Sequence, residues 1–433
     1  MRRIAALCAM AAGLLAASAS QAQTPDPTTI AVVGAKLYAM DGRGAVDNAT
    51  IVVRDGKIAA VGPGLAAPAG ARVIDAKGRI VTPGLMNAGT QLGLVEINSV
   101  PDTADQSVSS GPLGAAFDVE YALNPNSVLL PRARADGLTR VGSYPGGSAS
   151  APFAGAAAAL RLSEGADILD RPRAAMMINI GGMAAVRTGG SRSAAWILLR
   201  NALTEARRFP RLSAHPGPRD QLLNHLDAEA LQPVLAGRMP LGIVTARESD
   251  LRQAIRLAED YHVKVVIFGG AEAWRVADLL ASHRIPVVIN PFDDLPWTFD
   301  EIGARLDNAA ILQRAGVTVA FSVPGIEFNH NAGTGVREAA GLAVANGLPW
   351  IEALKALTVN PAAIWGVGDH YGALTAGKDA DLVIWDGDPL EPSSAPTTVL
   401  VRGRPVSLIT RQDELARRYA PARRADPWPA GYR

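Results

Sequence analysis

Residues 241–268 read LGIVTARESDLRQAIRLAEDYHVKVVIF, and this stretch decides the architecture. Residues 241–245 form a short apolar run of the buried type. From Ser249 to Tyr261, the apolar residues Leu251, Ala254, Ile255 and Ala258 return at helical spacing, with Ser249 placed to cap the start. A second apolar run follows at 263–268. An apolar strand, an amphipathic helix and another apolar strand make one unit of a parallel sheet covered by helices. The alternation continues outward, with strand-like runs at 138–142, 175–180, 285–289 and 317–322 and helical stretches at 220–236 and 271–283. With 80–86 as a first strand the count approaches eight. The expected fold is therefore α/β, a (β/α)8 barrel of the TIM type rather than an open sheet.

Both flanks of this region are β-rich. Short β-branched runs occupy 30–40, 49–54, 57–61, 73–75 and 79–82, and Asp55-Gly56 is a tight-hairpin signal. A similar patch recurs at 380–386 and 399–402, followed by Gly403-Arg404 and the run 405–408. Two β-rich ends around a long middle predict one small sheet domain built from both termini. The expected division is a leader at 1–22, that sheet domain at 23–82 and 366–410, the barrel at 83–365, and a surface tail rich in Arg, Ala and Pro at 411–433.

Composition narrows the function classes. The 433 residues carry 42 Lys+Arg against 41 Asp+Glu, with 48% apolar and 19% charged residues. Such a chain is too apolar for disorder and has no net basic field for nucleic acid. Arg2 and Arg3 precede an apolar run from Ile4 to Ala17, and Ser20-Gln21-Ala22 has the small-x-small shape of a signal-peptidase site. The run is too short to span a bilayer comfortably, so export to the periplasm is expected, with no membrane span after cleavage. Removing the leader takes two Arg and the sole cysteine, Cys8, and leaves 40 basic against 41 acidic residues.

Two motifs carry a resemblance. VTPGLMNAGTQLG at 81–93 resembles the first-strand motif of the amidohydrolase superfamily, usually V-x-P-G-L-I-D-x-H-x-H. Asn360-Pro361-Ala362, then GALTAGKDADLVIW at 372–385, is similar to the family's N-P-A … G-x-L-x-x-G-x-x-A-D-L-V. Asp386-Gly387-Asp388 and Val401-Arg402-Gly403 continue the pattern. The likeness spans nearly the whole chain after the leader, and comes nearest to the imidazolonepropionase-like and exported dipeptidase-like branch. It implies a barrel with a composite sandwich, and hydrolysis of non-peptide or dipeptide C–N bonds. The implied cofactor is zinc or another divalent metal, held through His-x-His, a Lys or Glu, two further His and an Asp at the strand ends.

This chain departs from that ligand set at every position that can be aligned. Gly89 and Gln91 stand where His-x-His belongs, and glycine offers no ligand atom. Val244 or Thr245 stands where the fifth strand brings a His. The sixth-strand segment 266–274 has no His, the eighth-strand segment 318–325 lacks the Asp, and no Lys lies near 175–182. No cofactor is therefore expected.

Other candidates are fewer. Of the six histidines, His262 and His283 are expected at helix C-termini, where the dipole favours them. His215 and His225 fall in or near a polar loop, and His370 in the return to the sandwich. His330 follows strand 8 and so belongs to the active face. Glu272, opening a helix after strand 6, is a candidate general base, although the helix dipole alone explains an acid there. Asp293 and Asp294 follow strand 7 on the same face, where Trp274 and Trp297 are candidate pocket walls. Asp118 and Glu120 form a carboxylate pair if 118–120 is extended. Gly181-Gly182 and Gly189-Gly190, with Arg187 or Arg192, could meet a phosphate or carboxylate. Gly146-Gly-Ser-Ala-Ser150 misses the nucleophile elbow at its last position.

Two functional readings stay open. One is an exported pseudo-amidohydrolase that binds a small amide or peptide-like ligand, or an active homologue as a homo- or hetero-oligomer. The other is an active hydrolase of C–N bonds using a metal-free or rearranged site built from Glu272, Asp293, Asp294 or His330.

Overall fold

The computed structural model describes residues 29–425 except 98–99, 149, 213–221, 297 and 324–328. The leader and its cleavage site, His215 and Trp297 lie outside the described residues.

The first five strands, β1 (Thr29–Tyr38), β2 (Ala45–Arg54), β3 (Lys57–Pro63), β4 (Arg72–Asp75) and β5 (Ile80–Pro83), belong to one sheet. Eight more follow: β6 (Leu85–Thr90), β7 (Leu138–Ser143), β8 (Phe153–Arg161), β9 (Leu169–Asn179), β10 (Leu241–Thr245), β11 (Val265–Gly269), β12 (Val287–Ile289) and β13 (Val319–Phe321). The last three, β14 (Leu382–Trp385), β15 (Pro396–Val401) and β16 (Arg404–Pro405), rejoin the first sheet.

That composite sheet runs β16-β15-β14-β5-β1-β2-β3, with β4 beside β1. β14 lies antiparallel to β5, Ile384 opposite Val81, so the two ends of the chain are hydrogen-bonded into one element. Ile30, Val32, Leu37, Ile51, Ile58, Val81, Leu382 and Ile384 share its core. The hairpin at Asp55-Gly56 forms as expected, both residues at positive φ, and Gly56 lies so near the Arg402 carbonyl that a Cβ would approach it to 2.9 Å.

The barrel sheet runs β13-β12-β11-β10-β9-β8-β7-β6. Neighbours are parallel except β8, which is antiparallel to both β7 and β9. This strand was missing from the runs read off the sequence. FAGAAAALR is buried along its whole length, but its alanines give neither alternation nor β-branched bulk. The first barrel strand also differs from the single run at 80–86. The chain leaves the composite sheet and enters the barrel at Gly84, where a Cβ would collide with Thr139.

β6 and β13, the two ends of this sheet, are both tied to the turn between helices Trp350–Lys355 and Val359–Ile364. The Met86 N–H donates to the Leu357 carbonyl, and the Phe321 N–H to the Ala356 carbonyl. The Asn360 side chain of the N-P-A motif donates to the Val319 carbonyl at 2.7 Å. Inside lie Met86, Ala88, Met177, Val266, Phe268, Val288 and Ala320, with Trp365 and Tyr371 packed against them.

Helices differ from expectation in detail. Helix Glu248–Tyr261 forms, but Ser249 does not cap it. The stretch 220–236 breaks into His225–Ala230 and Gln232–Leu235, the second with Pro233 in its first turn. The 271–283 stretch begins as a 3-10 turn, Ala273–Val276. Helix Arg192–Leu212 was not foreseen. In the tail, Arg411–Ala425 is helical, started by Thr410, whose hydroxyl exchanges hydrogen bonds with Asp413, and residues 411–420 are exposed.

Sheet and barrel meet at a buried ion cluster. The fully buried Arg140 guanidinium lies 3.0 Å from Asp170, 2.8 Å from Asp379 and 2.7 Å from Asp381. Asp381 is the acid of the A-D-L-V motif, so that motif has a structural role. Among the described residues no helix is long and apolar enough to cross a membrane.

Candidate functional site

The C-terminal ends of the parallel barrel strands form the mouth where barrel enzymes place their chemistry. Gly89 lies fully buried at the end of β6. A Cβ on it would stand 3.0 Å from both the Ser322 Cβ and Tyr144 Cε1, so the space a histidine would need is already filled. Tyr144 packs on Phe268 with ring centroids 5.7 Å apart, and Phe268 on Trp365 at 6.1 Å. Burial lifts the Tyr144 hydroxyl to about 12, so it stays neutral at physiological pH. Gln91 is half-buried. Its backbone N–H donates to Asn329 Oδ1 at 3.1 Å, and its side-chain amide nitrogen lies beside Gly146.

Val244 packs with the barrel interior, and among the described residues the buried Thr245 hydroxyl has no hydrogen-bond partner. The buried Asn329 Nδ2 and Gln106 Oε1 are likewise unpaired. Zinc and its relatives need several imidazole or carboxylate donors converging on one point. Gly89, Gln91, Val244 and Thr245 supply no imidazole or carboxylate, only an amide and a hydroxyl beside a glycine and a valine. Among the described residues no group of three or more His, Cys, Asp or Glu stands at metal-holding geometry. These residues do not fit such an ion.

The acidic candidates divide by what they touch. Glu272 is committed to the backbone: one oxygen accepts from the Glu248 N–H at 2.9 Å, the other from the Gly303 N–H at 3.1 Å. It caps the helix that Ser249 was expected to cap, and it anchors the loop after β12. As a general base it is already in use. Asp293, in that loop, accepts from the Asn290 amide at 2.8 Å. Burial, then the nearby charges of Glu301 and Asp294, raise its carboxyl to about 7 against the hydrogen bond from Asn290. Asp294 is exposed and lines a groove of about 750 Å³ with Trp274, Gly303, Arg305 and Asn346. Trp274 walls that groove, between the guanidiniums of Arg275 (4.4 Å) and Arg305 (4.7 Å). His330 is exposed on the turn Asn329–Asn331.

Three further histidines serve the fold. His262 ends its helix in the left-handed conformation. His283 contacts the Leu279 carbonyl and Glu259, and His370 contacts Asp170 and Asp369. The Asp118–Glu120 pairing is corrected: Asp118 caps the turn Val119–Ala122 and accepts from the Glu120 N–H.

The glycine-rich segment after β9 does meet a carboxylate, but one from the same chain. Asp300 accepts from the Gly182 N–H at 2.7 Å and from the Arg192 guanidinium. Arg247 lies 3.7 Å away. Arg187 instead donates to the Ser148 carbonyl. Asp300 and Arg247 were not picked out from sequence. The one signal was the density of acids at 293–301, beside a loop with more arginines than it could neutralise.

The Amidohydrolase family profile matches residues 275–410. The imidazolonepropionase of Brucella anthropi is 26% identical over 84% of this chain and 94% of its own length. In sequence the chain is similar to the amidohydrolase superfamily. Amidohydrolase tasK of Hapsidospora irregularis is also 26% identical, over 79% of this chain, and the match spans only 38% of that longer protein. The solved amidohydrolase of Thermotoga maritima, 24% identical, superposes with a TM-score of 0.78 over 87% of this chain and 99% of its own. The superfamily barrel is thus retained at a mouth where Tyr144 and Ser322 crowd Gly89.

Proposed function

We propose that this amidohydrolase-superfamily protein is exported to the periplasm and has a degenerate mouth. It binds a small amide or peptide-like ligand, or an active homologue, without metal-assisted hydrolysis. The donor set at the mouth carries this reading: Gly89, Gln91, Val244 and Thr245 stand where the ligands would be, and the space over Gly89 is closed. An amide ligand, which brings both a donor and an acceptor, suits the half-buried Gln91 amide at the end of β6.

The test is metal content and turnover. The protein, expressed from residue 1 and released by osmotic shock, is expected to begin at Gln23 and to hold no stoichiometric zinc, manganese or iron. It should leave amide and dipeptide substrates intact. Stoichiometric metal with chelator-sensitive turnover overturns the degenerate-site reading, and retention in the cytoplasm overturns export.

One observation favours a second reading. A carboxyl titrating near 7 in a partly desolvated site, as at Asp293, can accept a proton from attacking water and return it to a leaving nitrogen. Chelator-insensitive amide hydrolysis abolished in Asp293→Asn would establish it.

A further inference from the structure

Gly182, Arg192, Arg247, Asp250 and Asp300 meet on the rim of the mouth, beyond the ends of β9, β10 and β12. Asp250 is held by its own partners: it accepts from the Trp196 indole at 3.1 Å and from Arg247 Nε at 3.0 Å. Asp300 arrives from the loop after β12 and is almost completely buried. The two guanidiniums and two carboxylates balance while it is in place. Without Asp300, two guanidiniums would face one carboxylate, and the Gly182 N–H and the Arg192 terminal nitrogen would lose their acceptor. Arg192 Nε is already buried without a hydrogen-bond partner, 3.8 Å from Asp250, so the guanidinium keeps a spare donor. A planar guanidinium with an adjacent backbone N–H matches the two oxygens of a carboxylate.

We propose that the Gly182 N–H and Arg192, backed by Arg247, form a carboxylate-binding niche that Asp300 fills in cis. The loop bearing Asp300 then acts as an internal competitor, which the carboxylate of an incoming small amide or peptide-like ligand displaces. Phe299 and Ile302, largely exposed on either side of Asp300 and Glu301, give that loop little apolar anchorage of its own. Its contacts with the rim include Asp300, the Gly303 N–H bond to Glu272 and the Trp274 indole bond to the Gly303 carbonyl.

The niche rests on the reading of the mouth as a ligand-binding cleft, so its test reads binding alone. N-acetylglycine is titrated calorimetrically into the full-length protein, Asp300→Asn, and Asp300→Asn combined with Arg192→Gln. Asp300→Asn is expected to bind at least ten-fold more tightly than the unaltered protein, and Arg192→Gln to remove that gain. Equal affinity of Asp300→Asn and the unaltered protein overturns the niche, as does tight binding that survives Arg192→Gln. If Asp300→Asn fails to fold, hydrogen exchange on the unaltered protein decides. Saturating N-acetylglycine should accelerate exchange at 299–303, and unchanged exchange overturns the proposal. Chelator-sensitive turnover would overturn the degenerate-site reading without altering any of these comparisons.

Discussion

A histidine at Gly89 would have to displace Tyr144 or Ser322, both set by neighbouring strands. Overpacking of this kind costs about 1–3 kcal/mol. Gly89→His with Gln91→His is therefore expected to lower the denaturation midpoint by that equivalent and to acquire no zinc in a metal titration. Stoichiometric zinc uptake would show that the mouth can still open to the family's geometry. Asp293 makes a pH-dependent prediction. Its native value of about 7 lies above the roughly 3.9 of an unfolded aspartate, so between those values the native state holds a proton that the unfolded chain has lost. Stability from this group falls as pH rises from about 4 to about 7, then levels. Asp293→Asn should remove that slope. The expected gain is on the order of 2 kcal/mol at pH 8, with water around the half-buried carboxyl allowed for, and none at pH 4. Urea unfolding at the two pH values checks it.

The helices and loops of the mouth are tied together by side chains distant in sequence. Glu272 joins the N-terminus of helix Glu248–Tyr261 to the loop after β12 through two backbone N–H groups. Glu272→Ala removes a helix cap and a loop anchor together, at about 1–2 kcal/mol for the cap alone. Faster hydrogen exchange should appear at both Glu248 and Gly303. A change at only one would mean that the other N–H finds a substitute acceptor. Ser249 was the reasonable cap from sequence, being a short polar residue just before the apolar period. The structure begins the helix one residue earlier and takes its cap from the segment after the neighbouring strand, β11. β8 was invisible for the opposite reason. Its alanines suit a crowded interior position but carry no periodic signal, and only its pairing with β7 and β9 makes it a strand.

At the scale of the whole molecule, the composite sheet and barrel are joined through Arg140. Arg140→Met would leave Asp170, Asp379 and Asp381 buried together without their shared cation, although Asp379 and Asp170 keep contacts with Lys57 and Arg161. Breaking a buried pair from one side typically costs about 3–5 kcal/mol. The variant is expected to unfold at markedly lower denaturant, and a shift of less than 1 kcal/mol would show that the cluster relaxes or takes up protons at little cost. The alternation of apolar strands and amphipathic helices in the sequence determined a barrel. The β-rich ends determined a shared sheet, and Gly89, Gln91, Val244 and Thr245 are the residues on which the proposal of a degenerate mouth rests. These are legible because periodicity and residue type are local properties. Tertiary structure alone decided that Tyr144 and Ser322 close over Gly89, that Glu272 is a cap, that Asp293 titrates near neutrality, and that Asp300 fills the arginine niche. Asp293 depends on burial of a local acidic loop, and the others on groups 20 to more than 200 residues apart; in each a desolvated space, where distance and dielectric rather than sequence order act, sets the chemistry.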